Sequence, residues 1–95
     1  MIDRVFPHDL NAKLDYTVDW TPWLEDQSDT ISSFVTTLST GLTLFSSSNT
    51  TLTVTVWLTI DSSITKGRLL TCAIRITTAG GRIDERTLTI RAVQL

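Results

Sequence analysis

Arg75-Ile-Thr-Thr-Ala-Gly-Gly-Arg-Ile-Asp-Glu-Arg-Thr-Leu-Thr-Ile-Arg91 decides the fold class. Two β-rich runs, Leu69 to Thr78 and Ile83 to Val93, flank the Gly80-Gly81 pair. Paired glycines supply the positive φ angles that a tight turn needs, so the stretch predicts an antiparallel hairpin. In the first run Leu70, Cys72, Ile74 and Ile76 share one face, which predicts that they point inward. In the second, Leu88, Ile90 and Ala92 do the same, with Thr87, Thr89 and Arg91 outward.

The same period of two recurs upstream. Thr51 to Ile60 is the cleanest strand: Leu52, Val54, Val56, Leu58 and Ile60 face one way, and Thr51, Thr53, Thr55, Trp57 and Thr59 the other. Lys13 to Trp20 alternates as well, with Leu14, Tyr16, Val18 and Trp20 opposite Asp15, Thr17 and Asp19. Thr21-Pro22 interrupts that ladder, because proline has no amide to donate, and Trp23-Leu24 reads as a bend or a short edge segment. Glu25 to Asp29 reads as a polar loop. Thr30 to Leu38 predicts a strand with Ile31 and Val35 on one face and Phe34 and Leu38 on the other. Gly41 opens a further strand through Leu42 and Leu44, and Ser46 to Asn49 reads as a turn. The first dozen residues, with Pro7, His8, Asp9 and Asn11, show no period and read as an extended arm. Phe6 and Leu10 in it are expected to be pinned against the domain or a neighbour.

Six or seven short strands with no helical period predict an all-β, immunoglobulin-like antiparallel sandwich over residues 13–95, preceded by the arm at 1–12. A small barrel is the alternative. Ninety-five residues suffice for one domain with a modest core. Threonine and serine are abundant and lysine scarce, which suits half-exposed pleated surfaces.

Composition narrows the function. The net charge is −2 and no basic stripe is present, which argues against nucleic acid as a partner. The apolar runs are a few residues long, short of the roughly 20 a membrane helix needs. Cys72 is the only cysteine, so no disulfide forms within the chain. Met1-Ile-Asp-Arg4 has no apolar signal core, and synthesis in a cytoplasm is expected. Catalysis has little to work with: His8 is the single histidine, and Cys72 sits at an inward strand position, where a small core residue is the expected role. No spacing suits a metal, and no helix follows Gly80-Gly81 to make a phosphate loop, so neither catalytic residues nor a cofactor are assigned.

Docking is therefore the expected activity. Of the three tryptophans, one is expected in the core between sheets, and Trp57, among threonines, on a contact surface. The charged run Arg82, Asp84, Glu85 and Arg86 reads either as a solvated edge with ion pairs or as a contact with a neighbouring subunit. The interface candidates are Phe6, Leu10, Trp23, Trp57, Arg82, Asp84, Glu85 and Arg86.

Leu14-Asp-Tyr-Thr-Val-Asp-Trp20, Trp23-Leu24, Gly41-Leu-Thr43, Ile76-Thr-Thr-Ala-Gly-Gly-Arg82 and Asp84-Glu-Arg86 together resemble small structural proteins of tailed bacteriophages, the fiber–tail adaptor or neck-region proteins. The resemblance runs from about Leu14 onward. It implies an immunoglobulin-like domain in the virion, made in the host cytoplasm. It also implies several copies, forming a homo-oligomeric ring bound to other virion proteins, and no catalysis. A carbohydrate-binding or adhesion module, stacking sugars on Trp23 or Trp57, is the alternative.

Overall fold

A computed structural model describes residues 5–94. Two sheets face each other across a single core. The strands are β1 (Val5–Asp9), β2 (Leu14–Asp19), β3 (Ile31–Leu38), β4 (Leu42–Asn49), β5 (Thr53–Ile60), β6 (Leu69–Thr78) and β7 (Ile83–Val93). One sheet runs β1-β7-β6-β3 and the other β2-β5-β4. A two-layer, mostly antiparallel sandwich forms, as the alternation predicts, with seven strands among the described residues.

Strand parity holds best in the middle of each sheet. Val54, Val56, Leu58 and Ile60 of β5 are buried, as are Leu70, Cys72, Ile74 and Ile76 of β6 and Leu88, Ile90 and Ala92 of β7. These rows meet in one apolar cluster that also takes in Trp20 and Leu24. Burying an aliphatic side chain of this size contributes on the order of 1.5–3 kcal/mol, so these rows dominate the stability of the fold.

Four local readings change. The segment read as an arm is extended, but its residues Val5–Asp9 are a strand, paired in parallel with Thr89–Val93 of β7. The sheet is therefore mixed and not purely antiparallel, and Phe6 and Leu10 pack on the chain's own core. Residues 1–4 of that arm lie outside the described residues. The bend after Trp20 is a short helix, α1 (Thr21–Glu25), with Pro22 in its first turn, where the missing amide is not needed. In β3 a register shift between Ile31 and Ser33 moves the following residues to the opposite faces. Ile31 is buried, yet Val35 is 64% exposed and Phe34 and Leu38 face the core. Finally, Ser46–Asn49 continues β4 past a second bulge, between Leu44 and Ser46, and the chain turns only at 50–52.

The Gly80-Gly81 turn forms, with one amendment. Only Gly81 has a positive φ, of 88°. Gly80 is required for a different reason: a Cβ there would lie 2.9 Å from an Asp29 carboxylate oxygen.

Candidate functional site

Two of the interface candidates, Asp84 and Arg86, continue the inward row of β7 beyond Leu88. At that end of the sandwich the row meets Trp20, which follows β2 of the opposite sheet. The Trp20 indole Nε1–H donates to Asp84 Oδ2 at 2.8 Å. The Arg86 guanidinium lies over the Trp20 ring, 5.1 Å from its centre, and its Nη1 donates to the Asp19 carbonyl at 3.1 Å. Arg86 Nε is buried 3.7 Å from Asp84 Oδ2. Asp19 in turn accepts the amide and hydroxyl of Thr21. Those two bonds, the hydroxyl's first, hold its carboxyl below the usual carboxylate range. The cluster is a clasp between the sheets: it satisfies the one polar atom of a fully buried tryptophan.

Arg82 enters a second clasp, centred on Asp29, at the end of the segment that reads as a polar loop. Asp29 is buried. Its carboxylate accepts the amides of Thr30 at 2.9 Å and Gly80 at 3.0 Å, and Arg82 Nη1 at 2.9 Å. The Thr78 hydroxyl, first among these effects, and then the amides and Arg82 pull its pKa down to about 2. Ala79 N–H also donates to the Thr30 carbonyl at 2.9 Å, so the hairpin turn is tied to the entrance of β3. Glu85, facing outward, pairs with Arg75 across the ladder at 3.2 Å, with both side chains largely exposed.

Phe6 and Leu10 flank a buried histidine. His8 Nε2–H donates to the Ala12 carbonyl at 2.8 Å, which leaves Nδ1 to accept from the Tyr16 hydroxyl at 2.9 Å. Phe6 meets the Tyr16 ring edge-on at 5.4 Å. Spacing of i, i+2 and i+4 over Phe6, His8 and Leu10 was the available signal for this strand. Cys72 is buried in β6, on the far side of β7 from β1, and desolvation pushes its thiol up to about 11. It is a protonated core thiol at neutral pH. Among the described residues no group of three or more His, Cys, Asp or Glu side chains could hold a metal ion.

Trp23 is half-buried against the core. Trp57 stands apart. It lies on the outer face of the β2-β5-β4 sheet and is 38% exposed, with Asp15 of β2 and Ser46 of β4 as its cross-strand neighbours. The bulge beside Ser46 brings out Phe45, which is 59% exposed. Lys13, just before β2, reaches over β5 to place its ammonium 3.4 Å from the centre of the Phe45 ring. Around them are hydroxyls: Thr17 and Thr55 bond to each other, and Thr43 donates to Asp61. This face combines two exposed aromatic rings, a cation and hydroxyl groups on a flat ladder, and the described residues form no pocket. Exposed aromatic rings beside a cation and hydroxyls are the kind of composition that concentrates binding energy in protein interfaces.

The sequence model of one protein family, described as "Gp77: Podophage GP4 fiber-tail adaptor protein gp77", matches residues 8–91. No curated protein matches the chain.

Proposed function

The chain belongs to the podophage fiber-tail adaptor family, and from that membership we propose that it works by docking through the Phe45–Trp57 face. The family makes it a structural component of a tailed-phage virion, one that joins tail and fibers. The finer reading is geometric. A rigid sandwich, cross-tied at one end by the carboxylates of Asp29 and Asp84, presents an aromatic surface whose shape is set before any partner arrives. Preorganised surfaces lose little conformational entropy on binding, and copies arranged in a ring would multiply individually weak contacts. The observation that carries this reading is the exposure of Trp57 and Phe45 on an otherwise polar sheet. Two large rings left in water gain more from a partner than any other side chains of that face.

A sugar platform on Trp23 fits less well, since that ring is half-buried against the core; one on Trp57 is separated from protein docking by the glycan arm of the test below. Catalysis has no activated group to start from among His8 and Cys72.

The test is complementation of a phage lacking this chain with the double variant Phe45→Ala, Trp57→Ala. The variant should fold with an unchanged circular dichroism spectrum, while purified particles lose the chain, the fibers or both. Particles of normal protein composition would remove the face from the docking role. Binding of a glycan by the parent chain, lost in the variant, would favour the adhesion reading instead.

A further inference from the structure

From Thr30 to Ile60 the chain carries no charged residue, and this span builds β3, β4 and β5. Its two outer strands, β3 and β4, are the edges of their sheets on the same flank of the sandwich. Edge strands present unpaired amides and carbonyls, and natural proteins blunt them with charge, proline, bulges or short length. The other flank follows that rule: β1 is short and contains Pro7 and Asp9, and β2 carries Asp15 and Asp19. On the uncharged flank, β4 is broken near its middle by the bulge at Phe45. The bulge of β3 lies at its start, where the Ile31 amide donates to the Thr51 carbonyl at 2.8 Å. Ser33–Leu38 is therefore left as a regular, uncharged, proline-free edge, paired with β6 on one side only.

We propose that this edge pairs antiparallel with β3 of a second copy, about a two-fold axis at Val35, joining the two four-stranded sheets into one. The occupant of such an edge must be an extended strand with free backbone groups of matching length. Of the edges among the described residues, β1 carries Pro7, β2 its aspartates and β4 a bulge, so β3 itself is the regular, uncharged strand that offers this. Self-pairing of a charged strand sets like charges opposite one another; here Val35 meets Val35, Ser33 meets Thr37 and Phe34 meets Thr36 of the second copy. Val35, 64% exposed, gains an apolar neighbour, and half-buried Phe34 and Leu38 gain cover on the inner face. The pairing strands themselves are neutral; the nearest charges on the outer face are Arg75, beside Val35 on β6, and Glu85, which pairs with it from β7. This edge is distinct from the Phe45–Trp57 face, so the pairing stands or falls separately from the adaptor reading.

An edge-to-edge contact is smaller than the roughly 1,200 Å² at which stable interfaces begin, so a covalent reporter suits it best. Three single variants of the purified full chain are oxidised in a glutathione buffer: Val35→Cys, Ser33→Cys and Thr37→Cys. All three positions are exposed, and buried Cys72 serves as the silent background. Val35→Cys alone should give several-fold more disulfide-linked dimer than either other variant alone. Ser33→Cys and Thr37→Cys should cross-link when mixed. Equal yields from all three, or no dimer from Val35→Cys and none from the mixture, would overturn the pairing. Since no phage particle is involved, that result is independent of whether the chain is incorporated into virions.

Discussion

Trp20 and Trp57 follow the same alternation rule and end in opposite environments. Each is an indole on the three-stranded side of the sandwich. Trp20 falls on the inward parity of β2's path, has no exposed surface, and finds Asp84 for its N–H and Arg86 for its ring. Trp57 falls on the outward parity of β5, between Asp15 and Ser46, and stays 38% exposed. The difference teaches that parity assigns the work. One ring is part of the clasp that ties the sheets together, and the other is left on the surface that we propose for docking.

The sharpest way to break the contrast is to remove each ring in turn. Trp20→Ala takes away a fully buried ring and leaves Asp84 and Arg86 facing a void, for a loss of about 3–5 kcal/mol in chemical denaturation. For a chain of this size that is a large share of the total stability. Trp20→Phe keeps most of the ring but not the donor, and about 1–2 kcal/mol should be lost. Trp57→Ala should change stability by no more than about 1 kcal/mol. A Trp57 variant as unstable as the Trp20 variant would mean that the outer ring also holds the fold.

The second clasp gives the contrast a pH dependence. The Asp29 carboxyl is depressed from 3.8 to about 2 in the folded chain. A group of this kind contributes stability that is fully present above its unfolded pKa and is lost as the pH falls through the folded one. The contribution should therefore fade between about pH 4 and pH 2, and Asp29→Asn should flatten that part of the stability curve while lowering the plateau at pH 7. Phe45 and Trp57 carry no carboxyl, so docking variants at these two positions should keep the parent's acid limb. An acid limb unchanged in Asp29→Asn would remove the carboxylate from this account.

How much of this was legible in the sequence follows from the range of each interaction. The rows of β5, β6 and β7 were readable because period-two alternation is local and each row is buried along its length. The inward run of β7 even contained its own extension: Asp84 and Arg86 share the parity of Leu88 and Ile90, which marks them as groups aimed at the opposite sheet. Glu85, of the other parity, faces Arg75. The faces of β3 were misread because one bulge residue reverses every side chain after it, and nothing in Ile31-Ser-Ser33 announces the bulge. The serines of β4 read as a turn because their local chemistry allows either state, and pairing with Val54–Trp57 decides it. Asp29 was invisible as a hub since its partners at 78–82 arrive from some fifty residues away. The docking surface was half legible: Trp57 stood out among threonines, while the exposure of Phe45 depends on the second bulge.

The smallest expected effect comes from the one pair of the hairpin that belongs to neither clasp. Arg75 and Glu85 face solvent on the four-stranded sheet, 3.2 Å apart, with side chains 62% and 46% exposed. Water screens such a pair, and fixing two long side chains opposes the attraction. Glu85→Gln should therefore leave the denaturation midpoint nearly unchanged, by less than about 0.5 kcal/mol, with the small difference vanishing in added salt. Arg82→Gln, which removes the cation from Asp29, should lower the midpoint visibly more, although Arg82 is itself half in water. The two substitutions neutralise charges three residues apart in one turn-proximal run. If their effects were equal, burial of the partner carboxylate would not be what separates a structural charge from a solvated one in this hairpin.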